Sequence, residues 1–92
     1  MAGRGGRGSA ETKLYLVVFQ ISDELEFFNA ALALGRRRPP GIRLRHWFIA
    51  DDGKTSYAVW EAGEVNVLLG VLDVEFGPSA SFDVQHVNLL YG

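Results

Sequence analysis

The stretch "GIRLRHWFIADDGKTSYAVWEA", residues 41–62, decides the fold of this chain. Two runs of apolar, β-branched and aromatic residues flank Asp51-Asp52-Gly53-Lys54, and Asp-Gly between such runs is a strong local signal for a β-hairpin. A two-residue turn at Asp52-Gly53 sets His46 opposite Val59, Phe48 opposite Tyr57 and Arg45 opposite Trp60. A three-residue loop moves every pair by one and exchanges these neighbours. Because side chains alternate along a strand, Tyr57 and Trp60 take opposite faces. The expectation is Trp60 under the helices and Tyr57 on the open side.

Before the hairpin, "KLYLVVFQI" (Lys13 to Ile21) has strand composition. Leu14, Leu16 and Val18 point one way and Tyr15, Val17, Phe19 and Ile21 the other, so both faces need cover and the strand belongs in the middle of a sheet. "SDELEFFNAALALG" then reads as a helix. Ser22 or Asp23 is its N-cap, Asp23, Glu24 and Glu26 complement the dipole, and Gly35 is the expected stop before "RRRPP". Leu25, Phe28 and Leu32 keep i, i+3, i+7 spacing and share one face.

After the hairpin, "EVNVLLGVLD" predicts a second helix with Val65, Leu68, Leu69 and Leu72 on one face, widened by Val67 and Val71 and weakened by Gly70. "VEFGPSA" reads as a loop turning at Gly77-Pro78, and "SFDVQHVNLLYG", Ser81 to Gly92, as the last strand. The order is β-α-β-β-α-β, the ferredoxin-like α+β pattern, with an antiparallel four-stranded sheet expected in the order 4-1-3-2. Two helices cover one face. The other carries large apolar groups and needs a cover of its own.

Composition narrows the functions. Ninety-two residues with 48% hydrophobic content make one domain over residues 13–92, and a chain of this size buries only about 60–65% of its unfolded surface. With no cysteine to brace it, pairing with a second copy is a natural way to bury more. The absence of a spanning segment or signal peptide predicts a cytoplasmic protein that does not engage a membrane. Residues 1–12, "MAGRGGRGSAET", are expected to be a flexible Gly/Arg-rich tail, a leader or a cloning remnant.

Charge is unevenly placed. Residues 1–45 hold eight basic against four acidic side chains, while residues 46–92 hold Lys54 against seven acids. That difference would let copies meet, steer an anion toward Arg36, Arg37, Arg38, Arg43 and Arg45, or simply keep a surface solvated.

The element order together with "PPGIRLRHWFIADDGKTSYAVWEAG" resembles the dimeric α/β-barrel superfamily, in particular its small uncharacterised single-domain families, over residues 13–91. The resemblance implies a homodimer whose sheets pack face to face around a cavity. Members include cofactor-free oxygenases, haem-binding proteins, isomerases and modules without known activity, so it implies no single reaction. RNA-recognition domains share the element order. Here Thr55 follows Lys54 where their third-strand motif wants glycine, Tyr57-Ala58-Val59 offers one ring where two are needed, and the pI of 5.6 opposes phosphate binding.

The residues available for chemistry are few. His46 and His86 carry the side chain whose unperturbed pKa lies near neutrality and are the candidate catalytic residues. They fall on opposite sheet edges, roughly 14 Å apart, so one subunit cannot join them at a metal, and a face-to-face dimer would have to bring His86 near the partner's His46 with a third ligand such as Asp83 or Glu61. Trp47, Trp60, Phe48, Tyr57 and Tyr15 are core or pocket lining. Arg43 and Arg45 are either cavity groups for an acidic ligand, with Trp60 stacking on Arg45, or rim charges. Gln85 and Asn88 interrupt an apolar strand, and Asn88 is expected on the face of His86 as a polar contact. No phosphate loop, nucleophile triad or metal-ligand cluster is present, so no cofactor and no metal are expected.

The reading is a small-molecule binding protein for an apolar or aromatic ligand contacted by Tyr15, His46, Phe48, Tyr57, His86 and Asn88. Its alternatives are a cofactor-free oxygenase- or isomerase-like enzyme on the same cavity and a protein-interaction module, with RNA binding the least favoured.

Overall fold

The computed structural model describes residues 12–91 of the chain. The expected tail over residues 1–12 therefore lies, apart from Thr12, outside the described residues. The elements are β1 (Lys13–Ile21), α1 (Glu24–Arg37), β2 (Ile42–Ile49), β3 (Thr55–Ala62), α2 (Val65–Phe76) and β4 (Ala80–Val87). The antiparallel sheet runs β2-β3-β1-β4 with β1 inside, as its two apolar faces require. The fold is ferredoxin-like.

The core lies between the sheet and the helices. Phe19, fully buried on β1, has its ring centroid 5.1 Å from Phe27, 5.0 Å from Phe76, 6.0 Å from Phe82, 6.2 Å from Trp47 and 6.3 Å from Trp60. These separations and tilts are those that aromatic quadrupoles favour. Trp60 is 1% exposed and Tyr57 41% exposed, so the two divide between the faces as expected.

Three element ends differ from the sequence reading. Gly35 does not stop α1, which runs to Arg37 and is capped by Arg38 in the left-handed region at φ 47°, its N–H donating to the Leu34 carbonyl at 3.1 Å. The stop comes from Pro39, since a proline disfavours the helical conformation of the residue before it. At the other end Asp23 is the N-cap, its Oδ1 accepting from the Glu26 N–H at 3.0 Å. α2 continues through Val74-Glu75-Phe76, because Leu68, Leu72 and Phe76 extend one buried stripe. β4 ends at Val87, where β1 no longer offers a partner, and Leu89, Leu90 and Tyr91 lie exposed beyond it.

The hairpin keeps one part of its expected register and loses another. Ala50 O accepts from Gly53 N–H at 2.9 Å and Ala50 N–H donates to Thr55 O at 2.8 Å, so Asp51 to Lys54 form the loop in place of a two-residue turn. Gly53 takes φ 73°, which a residue with a Cβ resists. His46 still pairs with Val59 and Phe48 with Tyr57, but a bulge between Leu44 and His46 sets Leu44, not Arg45, opposite Trp60. The extra residue in one strand is what displaces the pair.

α1 shows the largest departure. Leu25, Phe28 and Leu32 do share a face, and it is the outward one, 73%, 45% and 61% exposed. The inward face is built from Phe27, Ala30, Ala31 and Leu34. Alanines let the helix lie close to the sheet while Phe27 reaches the aromatic cluster. At the far end Arg37 forms an ion pair with Glu75, tying α1 to α2.

Candidate functional site

The register defines the sheet face that no helix covers. Across β2-β3-β1-β4 its rows are Phe48, Tyr57, Val18 and Asp83; then His46, Val59, Leu16 and Gln85; then Arg43, Glu61, Leu14 and Val87. The middle is aliphatic and the two edges differ. β2 brings Arg43, His46 and, through the bulge, Arg45, while β4 brings Asp83 and Gln85. Arg45 Nη1 lies 3.3 Å from Glu61 Oε1, which fixes its side chain on this face, and Trp60 on the opposite face cannot stack on it.

Glu61 accepts from the Thr12 hydroxyl at 3.0 Å and from Arg45 at 3.3 Å. The Thr12 hydrogen bond is the largest influence; desolvation opposes it, and the bond and charge of Arg45 with the charge of Arg43 leave the carboxyl below the usual range.

The residues singled out from sequence divide between the two faces. His46, Phe48 and Tyr57 share the bare face, His46 and Phe48 with ring centroids 6.2 Å apart. Tyr15 and His86 sit on the helix side as cross-strand neighbours, ring centroids 5.6 Å apart, with Tyr15 buried. Asn88 lies past the end of β4 and is exposed. His46 and His86 are thus on opposite faces as well as opposite edges, and sheets packed through their bare faces would not join them. Among the described residues no group of three or more His, Asp or Glu is placed to hold a metal.

A concave site does exist, on the helix side at the β2 edge. α1 leaves β2 partly uncovered, and between them lies a cleft of about 440 Å³ lined by Leu34, Gly35, Arg38, Pro39, Ile42, Arg43, Leu44, Trp47 and Trp60. A shallower apolar groove of about 240 Å³ continues past Trp47 along Phe27, Phe28, Ala31, Phe48, Ile49 and Ser56. The two indoles stand 5.4 Å apart at 61°. Trp47 donates its Nε1–H to Ser56 Oγ at 2.8 Å, and Ser56 Oγ donates to the Phe48 carbonyl at 2.8 Å, which fixes the ring at the junction of cleft and groove.

The volume lies within the range of small-molecule sites, and the walls combine apolar and aromatic side chains with a substantial polar share. Sequence reasoning had Trp47, Trp60 and Arg43 in view, and Arg38 only as one of five arginines able to steer an anion. Its signal was the position before Pro39, where a non-glycine residue is now held in a sparsely populated backbone region, a feature that concentrates at ligand sites.

Comparison with solved structures places the fold. The chain is similar to the uncharacterised protein TM1266 of Thermotoga maritima, at 15% identity and TM-score 0.54, over 85% of this chain and 100% of that one. It is also similar to an antibiotic biosynthesis monooxygenase-like protein of Caulobacter crescentus CB15, at 11% identity and TM-score 0.51, over 87% of this chain and 92% of that one. Likeness at these identities shows a shared ferredoxin-like architecture. No family pattern and no curated protein matches the sequence. No helix among the described residues is long and apolar enough to cross a membrane.

Proposed function

We propose that this chain is a homodimeric binding protein for a small apolar or aromatic molecule that carries a negative group. The observation that carries the ligand is the cleft between α1 and β2, with two indoles in its walls and Arg38 as its charged group on the helix side, while Arg43 borders it from the β2 edge with its pairing turned to the bare face. Indole faces hold apolar rings, and guanidinium groups pair with carboxylates or stack on aromatic surfaces. The bare sheet face supports the dimer. An aliphatic centre edged by base on β2 and acid on β4 is self-complementary when a two-fold axis runs along the strands, since β2 then lies over the partner's β4.

The Caulobacter neighbour's name suggests an oxygenase on the same scaffold. Binding is the better reading here because no carboxylate or imidazole lines the cleft among the described residues, and a reaction there would need a substrate that supplies its own acidic proton. His46, the one open-face imidazole, is separated from the cleft by the sheet.

Titrating the protein with 8-anilinonaphthalene-1-sulfonate, an aromatic anion, tests the reading through tryptophan emission. Trp47→Leu should abolish most of the binding, Arg38→Gln should weaken it about tenfold, in line with the ~1.4 kcal/mol expected of one charge-assisted contact, and Tyr57→Glu on the bare face, away from cleft and groove, should leave the affinity of the cleft unchanged. Equal binding by wild type, Trp47→Leu and Arg38→Gln would remove the cleft from consideration. Light scattering on Phe48→Glu tests the sheet-to-sheet contact, which this charge should open so that the mass halves; a pull-down partner in place of self-association would favour an interaction module.

A further inference from the structure

The outer side of α1 has no part in the bare sheet face, and it meets the cleft and groove only at its margin, through Gly35 and Phe28. Leu25, Phe28, Leu32 and Gly35 recur at spacings of three, four and three, the a/d pattern of a helix that packs against another helix. Leu25 and Leu32 are 73% and 61% exposed and Phe28 45% exposed, while the smaller Ala30 and Ala31 of the same helix are half-buried against the core. A surface stripe of this kind is unusual on a lone small domain. It is also graded in charge: Glu24 and Glu26 stand in the first turn, Arg36 and Arg37 in the last, and Arg38 at the cap.

We propose that this stripe is a second self-association surface, on which α1 of one copy pairs antiparallel with α1 of another about a two-fold axis at the level of Ala30. Two properties of the stripe select that occupant. Antiparallel pairing puts the acidic first turn of each helix against the basic last turn of the other and opposes the two dipoles, whereas parallel pairing sets like charge on like.

Size is the second property. With the axis at Ala30, Phe28 meets Leu32 of the other copy, and Leu25 meets Gly35. Gly35 has open space around the position of a Cβ, with nothing within 4 Å, so it leaves a hollow for the opposing leucine. An a position facing a d position in every layer is what antiparallel helices produce. The stripe is therefore complementary to itself in both charge and shape.

The helices lie on the side of the sheet away from its bare face, so pairing through α1 does not compete with the dimer proposed above, nor does it rest on it. With both surfaces used, association goes beyond two copies and either closes or extends, depending on the angle between the two axes.

The chain contains no cysteine, which makes cross-linking a direct test of register. Leu25→Cys mixed with Gly35→Cys should give a disulfide-linked pair on mild oxidation. Neither variant alone should do so, because equivalent Leu25 or Gly35 positions are then about 15 Å apart along the axis, beyond the ~7 Å that a disulfide spans between Cα atoms. Leu25→Lys, exposed and so without effect on folding by circular dichroism, should halve the mass seen by light scattering, and should do so again in the Phe48→Glu background. A mass indifferent to Leu25→Lys in both backgrounds overturns the proposal. So does cross-linking of Leu25→Cys alone that equals the mixture, or a Phe48→Glu protein that is already monomeric.

Discussion

Trp47 and Ser56 are joined across the β2–β3 hairpin by a 2.8 Å hydrogen bond, and the same serine hydroxyl passes its own proton to the Phe48 carbonyl at 2.8 Å. Ser56 is buried, so neither water nor another side chain replaces it. Ser56→Ala should cost about 1–3 kcal/mol in urea unfolding, the range for leaving a buried donor unpaired. It should also loosen Trp47, seen as red-shifted and more quenchable tryptophan emission. A midpoint within error of wild type would mean the relay contributes nothing.

Phe76 closes the aromatic cluster against Phe19 and Phe27 at 5.0 and 5.2 Å. Phe76→Ala removes a fully buried ring and should lower stability by about 3–5 kcal/mol. Phe76→Leu should recover much of this, because it fills most of the volume. Thermal unfolding monitored by near-ultraviolet circular dichroism would rank the two, and equal losses would argue against volume as the cause.

Gly70 lies inside α2 on an exposed position, and a Cβ there meets nothing within 4 Å. Gly70→Ala should therefore stabilise the protein by about 0.5–1 kcal/mol through reduced freedom of the unfolded chain. Denaturant titration reads this as a higher midpoint at unchanged slope. A lower midpoint would show that the glycine serves a contact.

Glu61 is held below its ordinary value of 4.5 by Thr12, Arg45 and Arg43. A carboxyl depressed by folding contributes its stability above the ordinary value and loses it as pH falls through the lower, folded one. Glu61→Gln should accordingly reduce stability at neutral pH and flatten the acid limb of a stability profile measured from pH 7 downward. Parallel acid limbs for the two proteins would sever Glu61 from this pH dependence.

What sequence could reveal depended on whether one signal or two competed at each position. β1, apolar on both faces, had one reading and is central as expected. The Asp-Gly hairpin fixed His46 with Val59 and Phe48 with Tyr57, but a bulge leaves no mark in a run like Arg43-Leu44-Arg45-His46, and the pairing of Trp60 slipped by one. α1 carries two apolar stripes, and periodicity picked the larger residues when packing distance favoured the smaller ones. The site was half legible for a similar reason. Trp47 and Trp60 were visible as aromatic lining, but the cleft they line comes from α1 failing to cover β2, a tertiary gap that no local pattern encodes. Tyr15 and His86 were drawn to the bare face by composition, and the pairing register sends both to the other.

The bulge at Arg45 has one more effect. β2 is an outer strand, and its Leu44, Phe48 and Ile49 would make it an inviting template for the strands of other molecules. An unpaired residue carrying a guanidinium breaks the hydrogen-bond rhythm there and adds a charge that a stacking neighbour would have to dehydrate. The irregularity that orients Arg45 and His46 also guards the protein against fibrillar growth from that margin.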